Sequence, residues 1–365
     1  MEQSDALCLR GDFGDAQPVL DEALAAARRA GNEHIEWRAR LALMGIRYRL
    51  EPESTPAVLA EARAAIAAGE QRGDDLVVAR GWDVVGQVAM NQGRIAEQRD
   101  ALERAARHAR AAGDRRLEAE IRMHWGPPIL FGDTPVAEGL RLIEEMLVVV
   151  SDVPTATGFV AHVSGHLRAR TGDHASAREL IGTWRTRMRE LGRDIPYATT
   201  ATCVWDVASL AGEHAAGEAA LREGYAILES RGEKGHLSTA AAYLGEACLL
   251  QGRLDEAERY VRRSAELGAS DDVLNEALWR KVQARILTAR GSREGAIPLA
   301  RAAVQLADGS DFFELKAETR LALAEALAPD EEAARVAAEA VDIYERKGNL
   351  VMRDRAARTL TSLSG

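Results

Sequence analysis

Two histidines four residues apart, His162 and His166, are the side chains of this sequence with the clearest capacity for chemistry. At this spacing they share one face of a helix, as pairs of zinc ligands do. A metalloprotease helix would also carry a Glu between them as general base, but the intervening residues are Val-Ser-Gly. Asp206 could supply a third ligand from a later segment. The pair therefore fits either a metal-dependent enzyme or two polar residues of a groove, and the missing Glu favours the groove.

Other patterns typical of catalysis do not occur. The cysteines Cys8, Cys203 and Cys248 are far apart, and the last two lie in apolar segments, so we predict that they are small buried hydrophobic residues. No G-x-x-x-x-G-K-[ST] phosphate loop is found, and GEKGH at 232–236 reads as a turn that ends a helix. The local spacing gives no Ser-His-Asp or Cys-His arrangement. The sequence predicts a protein that is not an enzyme and that carries no metal or cofactor.

The charge of the chain narrows the choice of partners. The 47 Lys and Arg residues against 57 Asp and Glu residues give a formal net charge of −10. Such a surface repels phosphate backbones and anionic lipids, so we expect neither nucleic acid nor a membrane as partner. No signal peptide opens the chain, and the longest apolar run, near 146–150, is too short to span a bilayer. Together with the odd number of dispersed cysteines, this predicts a cytoplasmic protein.

The elements that must position these residues are helices arranged in a repeat. Ala, Leu, Glu and Arg dominate, and they are strong helix formers. A turn with polar residues recurs, followed each time by a helix with a small residue in its first turns. This small position recurs every 38 to 41 residues, at Ala16, Ala57, Gln98, Ala137, Ala177, Gly217, Ala257, Ala296 and Ala334. Small side chains there would let two antiparallel helices approach closely, as in stacked helical hairpins.

The repeat resembles the tetratricopeptide repeat. The Gly-x6-Gly-x4-Ala-x6-Ala pattern of that family is visible as Gly245, Gly252, Ala257 and Ser264. The units here are near 40 residues rather than ~34, so each helix is about a turn longer. The resemblance implies an all-α fold, a right-handed α-solenoid of about nine hairpins that forms one superhelical domain over residues 1–365.

Two places should depart from this regularity. Pro127 and Pro128 should break the first helix of the fourth unit, because proline removes amide donors and clashes with the preceding turn. Residues 1–10 are predicted to be a truncated first helix, whose exposed apolar surface could mediate self-association or continue into an upstream segment. Residues 351–363 are predicted to form a single closing helix.

Residues 211–350 carry a narrower resemblance. Segments such as ALREGYAILESRGEKGHLSTAAAYLGEACLLQGRLDEAERYVRRSAEL and DIYERKGN are similar to the tails of bacterial proteins that join a class III cyclase domain, an AAA-like ATPase and tetratricopeptide repeats. The resemblance implies a sensor or interaction role. Cyclase or ATPase activity is not implied, because neither the cyclase sequence nor the phosphate loop is present.

In tetratricopeptide solenoids the first helix of each hairpin lines the concave face, and the same offsets select a candidate groove here. Its members are Asp83, Gln87, Met90, Arg122, Phe159, His162, His166, Thr202, Asp206, Thr239, Glu246, Lys281 and Arg285. The set is polar to acidic in the middle, with a basic pair at Lys281 and Arg285. We therefore predict a non-catalytic module of bacterial signalling or regulation that binds a protein segment in this groove. The alternatives are a ligand-sensing domain of a larger cyclase, ATPase or transcriptional activator, and a metal-dependent enzyme that uses His162 and His166.

Overall fold

The computed structural model describes residues 2–364, which contain twenty α-helices and no β-strand. In chain order the helices are α1 Glu2–Arg10, α2 Phe13–Ala30, α3 Glu33–Leu50, α4 Thr55–Arg72, α5 Asp75–Asn91, α6 Ile95–Ala111, α7 Arg115–Met123, α8 Gly126–Phe131, α9 Val136–Val149, α10 Pro154–Arg170, α11 His174–Glu190, α12 Asp194–Ala211, α13 His214–Ser230, α14 Lys234–Leu250, α15 Leu254–Leu267, α16 Val273–Ala289, α17 Arg293–Asp308, α18 Phe313–Leu327, α19 Glu331–Lys347 and α20 Leu350–Ser364. A 3₁₀ turn, Pro52–Ser54, precedes α4. None of these helices is long and apolar enough to cross a bilayer.

Successive helices pack as antiparallel hairpins. The nine units are α1–α2, α3–α4, α5–α6, α7/α8–α9, α10–α11, α12–α13, α14–α15, α16–α17 and α18–α19, and α20 packs on α19. The first helices of neighbouring units also contact each other, as α14 does with α12 and α16. This stacking confirms the predicted all-α solenoid.

Glycines in the left-handed conformation follow the ends of many helices, including the turn predicted at 232–236. Gly31, Gly73, Gly113, Gly192, Gly232 and Gly348 all have φ between 62° and 78°. Only glycine adopts this left-handed conformation without a steric cost, and it lets the chain reverse directly into the next helix.

The small positions pack as predicted in most units. Ala16, Ala177, Ala257 and Ala296 are fully buried between helices. Gly217 is required for its size, because a Cβ there would lie 2.7 Å from Cε3 of Trp205.

The predicted register is wrong by one residue in three units. Ala57 and Ala137 are exposed and Ala334 is only partly buried. Their places in the core are taken by Val58, Val136 and Ala333. The turns before these three helices contain Pro52, Pro135 and Pro329. The first two of these turns are longer than the Gly-polar turns within the other hairpins. The residue at which a helix begins determines which of its positions face the core. A turn of different length therefore shifts the buried position.

The helix break at Pro127–Pro128 is present. α7 ends at Met123, and α8 begins at Gly126 with both prolines in its first turn. The far end of α8 is held by Lys347 of α19, whose Nζ donates to the carbonyl oxygens of Ile129 at 3.1 Å and Gly132 at 2.6 Å. Burial lowers the pKa of Lys347 to about 8. A side chain from the ninth unit therefore completes the irregular fourth unit.

The hydrogen bonds of Lys347 are among several contacts between residues that lie 215–219 positions apart in sequence. Arg231 pairs with Asp12 at 2.5 Å across 219 residues, and the hydroxyl of Thr55 donates to Asp271 across 216. The amide of Asp311 donates to the carbonyl of Gly93 at 2.8 Å. At 40 residues per unit, this separation corresponds to about five hairpins for each superhelical turn. Successive turns of the superhelix therefore touch, and the concave side becomes an internal channel.

The first hairpin takes part in this closure. Phe13 and Leu20 of α2 belong to one apolar cluster with Ile195, Leu228 and Leu237 of the sixth and seventh units. This surface of α2 is covered within the same chain, and self-association through the first hairpin stays a prediction.

Ala257→Leu should lower the free energy of unfolding by about 1–3 kcal/mol, because three additional carbon atoms must enter a fully buried site between α14 and α15. Denaturant unfolding followed by circular dichroism measures the change. Ala137→Leu is the matched control, because Ala137 is the corresponding position of the fourth unit in the sequence repeat but is exposed. This substitution should change the free energy of unfolding by less than about 0.5 kcal/mol. Equal effects of the two substitutions would contradict the observed register.

Lys347→Met should lower the free energy of unfolding by about 1–3 kcal/mol, because the buried carbonyls of Ile129 and Gly132 would lose their hydrogen-bond donor. Hydrogen exchange should also speed up in α8 more than in α16, which Lys347 does not contact. Lys234→Met, at an exposed site, is the control. Unchanged exchange in α8 would show that Lys347 does not hold this helix.

Candidate functional site

The channel is a cavity of about 2010 Å³ that runs along the inner helices of the superhelix. Twelve of the thirteen predicted groove residues line it, namely Asp83, Gln87, Met90, Phe159, His162, His166, Thr202, Asp206, Thr239, Glu246, Lys281 and Arg285. The structure thus brings these residues onto one continuous surface.

Arg122 is the exception. Its Nε donates to Glu118 at 3.0 Å, and Glu118 also accepts from Arg110 of the neighbouring helix α6. The side chain packs over the ring of Trp125 rather than on the channel wall. The helix break directly after α7 explains the error, because an offset counted along an uninterrupted helix fails at a break.

Near the N-terminal end of the channel, Asp83 pairs with the next unit. His124 Nδ1 lies 3.0 Å from Asp83, whose other oxygen accepts from Gln87 at 3.1 Å. Burial opposes the charged form of both residues, but their mutual attraction outweighs it. The pKa of His124 is raised above its usual 6.5 and that of Asp83 is lowered.

The centre of the channel holds a buried ionic network around Arg170. Its guanidinium donates to Asp206 at 2.9 Å and to Glu314 at 2.7 Å, and Glu314 also accepts from Asn349 at 2.6 Å. Asp206 further accepts from His166 Nδ1 at 2.5 Å. Burial would raise the pKa of Asp206, but Arg170 and His166 hold it well below its usual range. The network joins the fifth, sixth and ninth units and the turn before α20 across the channel.

Cys203 lies beside the predicted histidine pair. Its Sγ is 3.8 Å from His162 Nε2, and the side chain is partly exposed rather than buried as predicted. Burial alone would raise the pKa of Cys203, but the charge on His166 and hydrogen bonds to both imidazoles lower it to about 5. Burial likewise opposes a charged His166, yet Cys203 and Asp206 raise its pKa to about 9. Sequence reasoning placed Cys203 in the core because its local segment is apolar. By contrast, Cys248 is fully buried, as predicted.

The predicted basic pair is neutralised by carboxylates. Lys281 is only 3% exposed and lies between Glu246 at 3.0 Å and Glu318 at 2.7 Å. Arg285 donates to Glu325 at 2.9 Å and also approaches Glu246. Charge reversal at Lys281 would put a third carboxylate into this cluster and disturb the fold, so it is a poor probe of binding.

Glu318 and Glu325 were missed from sequence, although each lies one repeat beyond the residue it pairs with. Lys281 and Glu318 are 37 positions apart, and Arg285 and Glu325 are 40 apart. The same spacing joins His166 to Asp206. Opposite charges at the repeat interval are the signal that would have found these residues.

At another part of the wall, near the third to sixth units, positive charge exceeds negative charge. Arg80, Arg116 and Arg193 line the channel there with Glu120 as their nearby acid. Burial and the repulsion of Arg116 lower the pKa of Arg193. This basic wall, defined as Arg80, Arg116 and Arg193, contrasts with the acidic net charge of the chain.

Comparison with known proteins rests on structure alone, because no protein family and no curated protein matches the sequence. A Rap protein solved with competence and sporulation factor superposes with a TM-score of 0.62 at 11% identity, over 99% of this chain and 97% of that one. The fold is that of a tetratricopeptide-like solenoid. A Rap conjugation gene regulator of plasmid pLS20, solved with the Phr* peptide, gives a TM-score of 0.52 at 13% identity, over 84% of this chain and 93% of that one. The human IFIT1 dimer with m7Gppp-AAAA gives a TM-score of 0.50 at 14% identity, over 96% of this chain and 78% of that one.

The His124–Asp83 pair should make stability depend on pH. Folding raises the pKa of His124 above its value of ~6.5 in the unfolded chain. The stabilisation from this histidine is therefore complete below the unfolded pKa and is lost as the pH rises through the folded pKa. His124→Gln should therefore lower the free energy of unfolding by about 1 kcal/mol more at ~pH 6 than at ~pH 9. The reason is that a charge-assisted hydrogen bond stabilises the fold by that much more than a neutral one. Denaturant midpoints across this range measure it. In an Asp83→Asn background the pH dependence of the His124 effect should disappear, and its persistence would assign it to another group.

Proposed function

We propose that this protein is a non-catalytic binding module that holds an extended peptide segment of a partner protein inside its channel. The observation that carries the proposal is the continuous channel that the inner helices enclose. A volume of about 2010 Å³ exceeds the ~300–1,000 Å³ typical of pockets for small molecules, so the cavity suits a longer, thread-like ligand. The alternative of a ligand-sensing domain for a small metabolite fits this size less well.

The lining suits a peptide chemically. Hydroxyl and amide groups such as Thr202, Thr239 and Gln87 offer hydrogen bonds, while Met90 and Phe159 offer apolar contacts. A peptide presents backbone donors and acceptors at every residue, and a wall of this mixed character can satisfy them. The two Rap structures, each solved with the ligand given above, support the same assignment through their shared fold.

The charges in the channel indicate what kind of peptide it would accept. Lys281, Arg285 and Arg170 already have carboxylate partners, so they add little attraction for an anion. The basic wall has three arginines for one nearby carboxylate, so it is a part of the channel that attracts negative charge. An acidic side chain or the terminal carboxylate of the peptide would lie against it.

Single-stranded RNA is a less suitable ligand, although IFIT1 was solved with m7Gppp-AAAA. RNA binding needs positive charge along the whole path of the backbone. Here the positive side chains in the centre of the channel are neutralised, and the chain as a whole carries a formal net charge of −10.

We further propose that the module acts in bacterial signalling or regulation in the cytoplasm, as the resemblance of residues 211–350 implies.

Filling the channel tests the proposal. Peptides are first selected from a random display library on the wild-type protein, and their affinities are measured by calorimetry. Thr239→Trp, on the channel wall, should weaken binding of the selected peptides at least tenfold. Thr183→Trp, the same substitution on an exposed residue of α11 outside the channel, should leave binding unchanged.

Circular dichroism must show that both variants are folded. Equal affinity of the two variants, or no selection of peptides on the wild type, would overturn the proposal. Tight binding of a single-stranded RNA oligonucleotide that Thr239→Trp abolishes would assign the channel to RNA instead.

A further inference from the structure

Three potential metal ligands converge on one point of the channel wall. The ligand atoms of His162 and His166 on α10 and of Cys203 on α12 all lie within 4.8 Å of one another. All three side chains line the channel. Two nitrogens and one sulfur are donors that zinc prefers, whereas magnesium and calcium prefer oxygen.

Both imidazoles are already oriented by their other nitrogen. His162 Nδ1 lies 2.5 Å from the carbonyl oxygen of Phe159. Because a carbonyl only accepts hydrogen bonds, this nitrogen carries the proton and Nε2 is left as the ligand atom. His166 Nδ1 lies 2.5 Å from Asp206, which leaves its Nε2 to bind the ion, with release of the proton that this nitrogen carries in the charged form. A carbonyl or carboxylate behind the imidazole is the usual support of a zinc-bound histidine.

The distance from the sulfur to one of the imidazoles is close to that of a tetrahedral site. With Zn–S near 2.3 Å and Zn–N near 2.0–2.1 Å, sulfur and nitrogen ligands of a tetrahedral zinc lie about 3.6 Å apart. Cys203 Sγ and His162 Nε2 are 3.8 Å apart. A small movement of one side chain closes the difference.

The surrounding charge also fits a dication. A thiolate at Cys203 with the carboxylates of Asp206 and Glu314 supplies three negative charges, and Arg170 supplies one positive charge in contact with both carboxylates. The cluster with neutral histidines therefore has a formal charge of −2. Trp184 stacks on His162 with ring centroids 5.9 Å apart, and Phe159 packs edge-on against the same imidazole, so apolar rings cover one side.

We propose that His162, His166 and Cys203 bind one zinc ion, with the fourth coordination position facing the channel. The sequence pointed to Asp206 as the third ligand, but the structure places Asp206 behind His166, where it supports a ligand. This zinc site does not depend on the proposed peptide binding, and the two are measured separately.

The test uses full-length protein that has been stripped with a chelator and then titrated with zinc. Wild type should take up one equivalent per chain in calorimetry and in elemental analysis after desalting, and zinc should raise its melting temperature. Cobalt, used as a spectroscopic probe, should give a thiolate-to-metal charge-transfer band together with the intense visible bands of tetrahedral coordination.

Cys203→Ala should abolish the charge-transfer band and weaken zinc binding at least tenfold, and His162→Gln should weaken it to a similar extent. Cys248→Ala, which removes a buried cysteine outside the cluster, is the matched control and should bind like wild type. If Cys203→Ala does not fold, the cobalt spectrum of the wild type decides the question on its own. Absence of the charge-transfer band, less than one equivalent of zinc, or equal zinc affinity in Cys203→Ala and Cys248→Ala would overturn the proposal.

Discussion

The contact between successive turns of the superhelix determines most of what this structure can do. Stacked hairpins alone would give an open concave face. Here hydrogen bonds such as Asp311 to Gly93 and ion pairs such as Arg231 to Asp12 join residues about five units apart. The concave face is thereby enclosed, and polar side chains that would have been solvated lie in a channel. Enclosure is the reason that these side chains need partners.

Many of those partners come from the neighbouring unit. Lys281 with Glu318, Arg285 with Glu325 and His166 with Asp206 each connect first helices one repeat apart. A buried charge without a partner would be strongly destabilising, whereas a paired one is tolerated. The repeat spacing therefore organises the electrostatics of the interior as well as the packing of the hairpins. In the basic wall, Arg80 pairs with Glu120 at the same interval. Arg116 shares that carboxylate and Arg193 lies near it, so three positive charges face one negative charge. This excess of positive charge is what favours the basic wall as an anion-attracting part of the channel.

The repeat interval was enough to predict the hairpins, and the offsets taken from the tetratricopeptide resemblance selected residues most of which lie on the channel wall. The errors arose where local spacing changes: at Ala57 and Ala137, where proline-containing turns shift the helix phase, and at Arg122, where a helix break follows. Cys203 was misjudged because its environment comes from His162 and His166 on another helix. Contacts between turns, such as Lys347 with Ile129, could not be predicted, because they depend on the superhelical pitch rather than on any one segment.

The bond from Lys347 to the broken fourth unit has a consequence for how such a chain can evolve. Ordinary repeat arrays gain and lose units freely, because each unit contacts only its neighbours. In this protein, removing one hairpin between Ile129 and Lys347 would bring a different residue to the carbonyls of α8 and would displace the other turn-to-turn contacts as well. The number of repeats between α8 and α19 is therefore fixed by geometry.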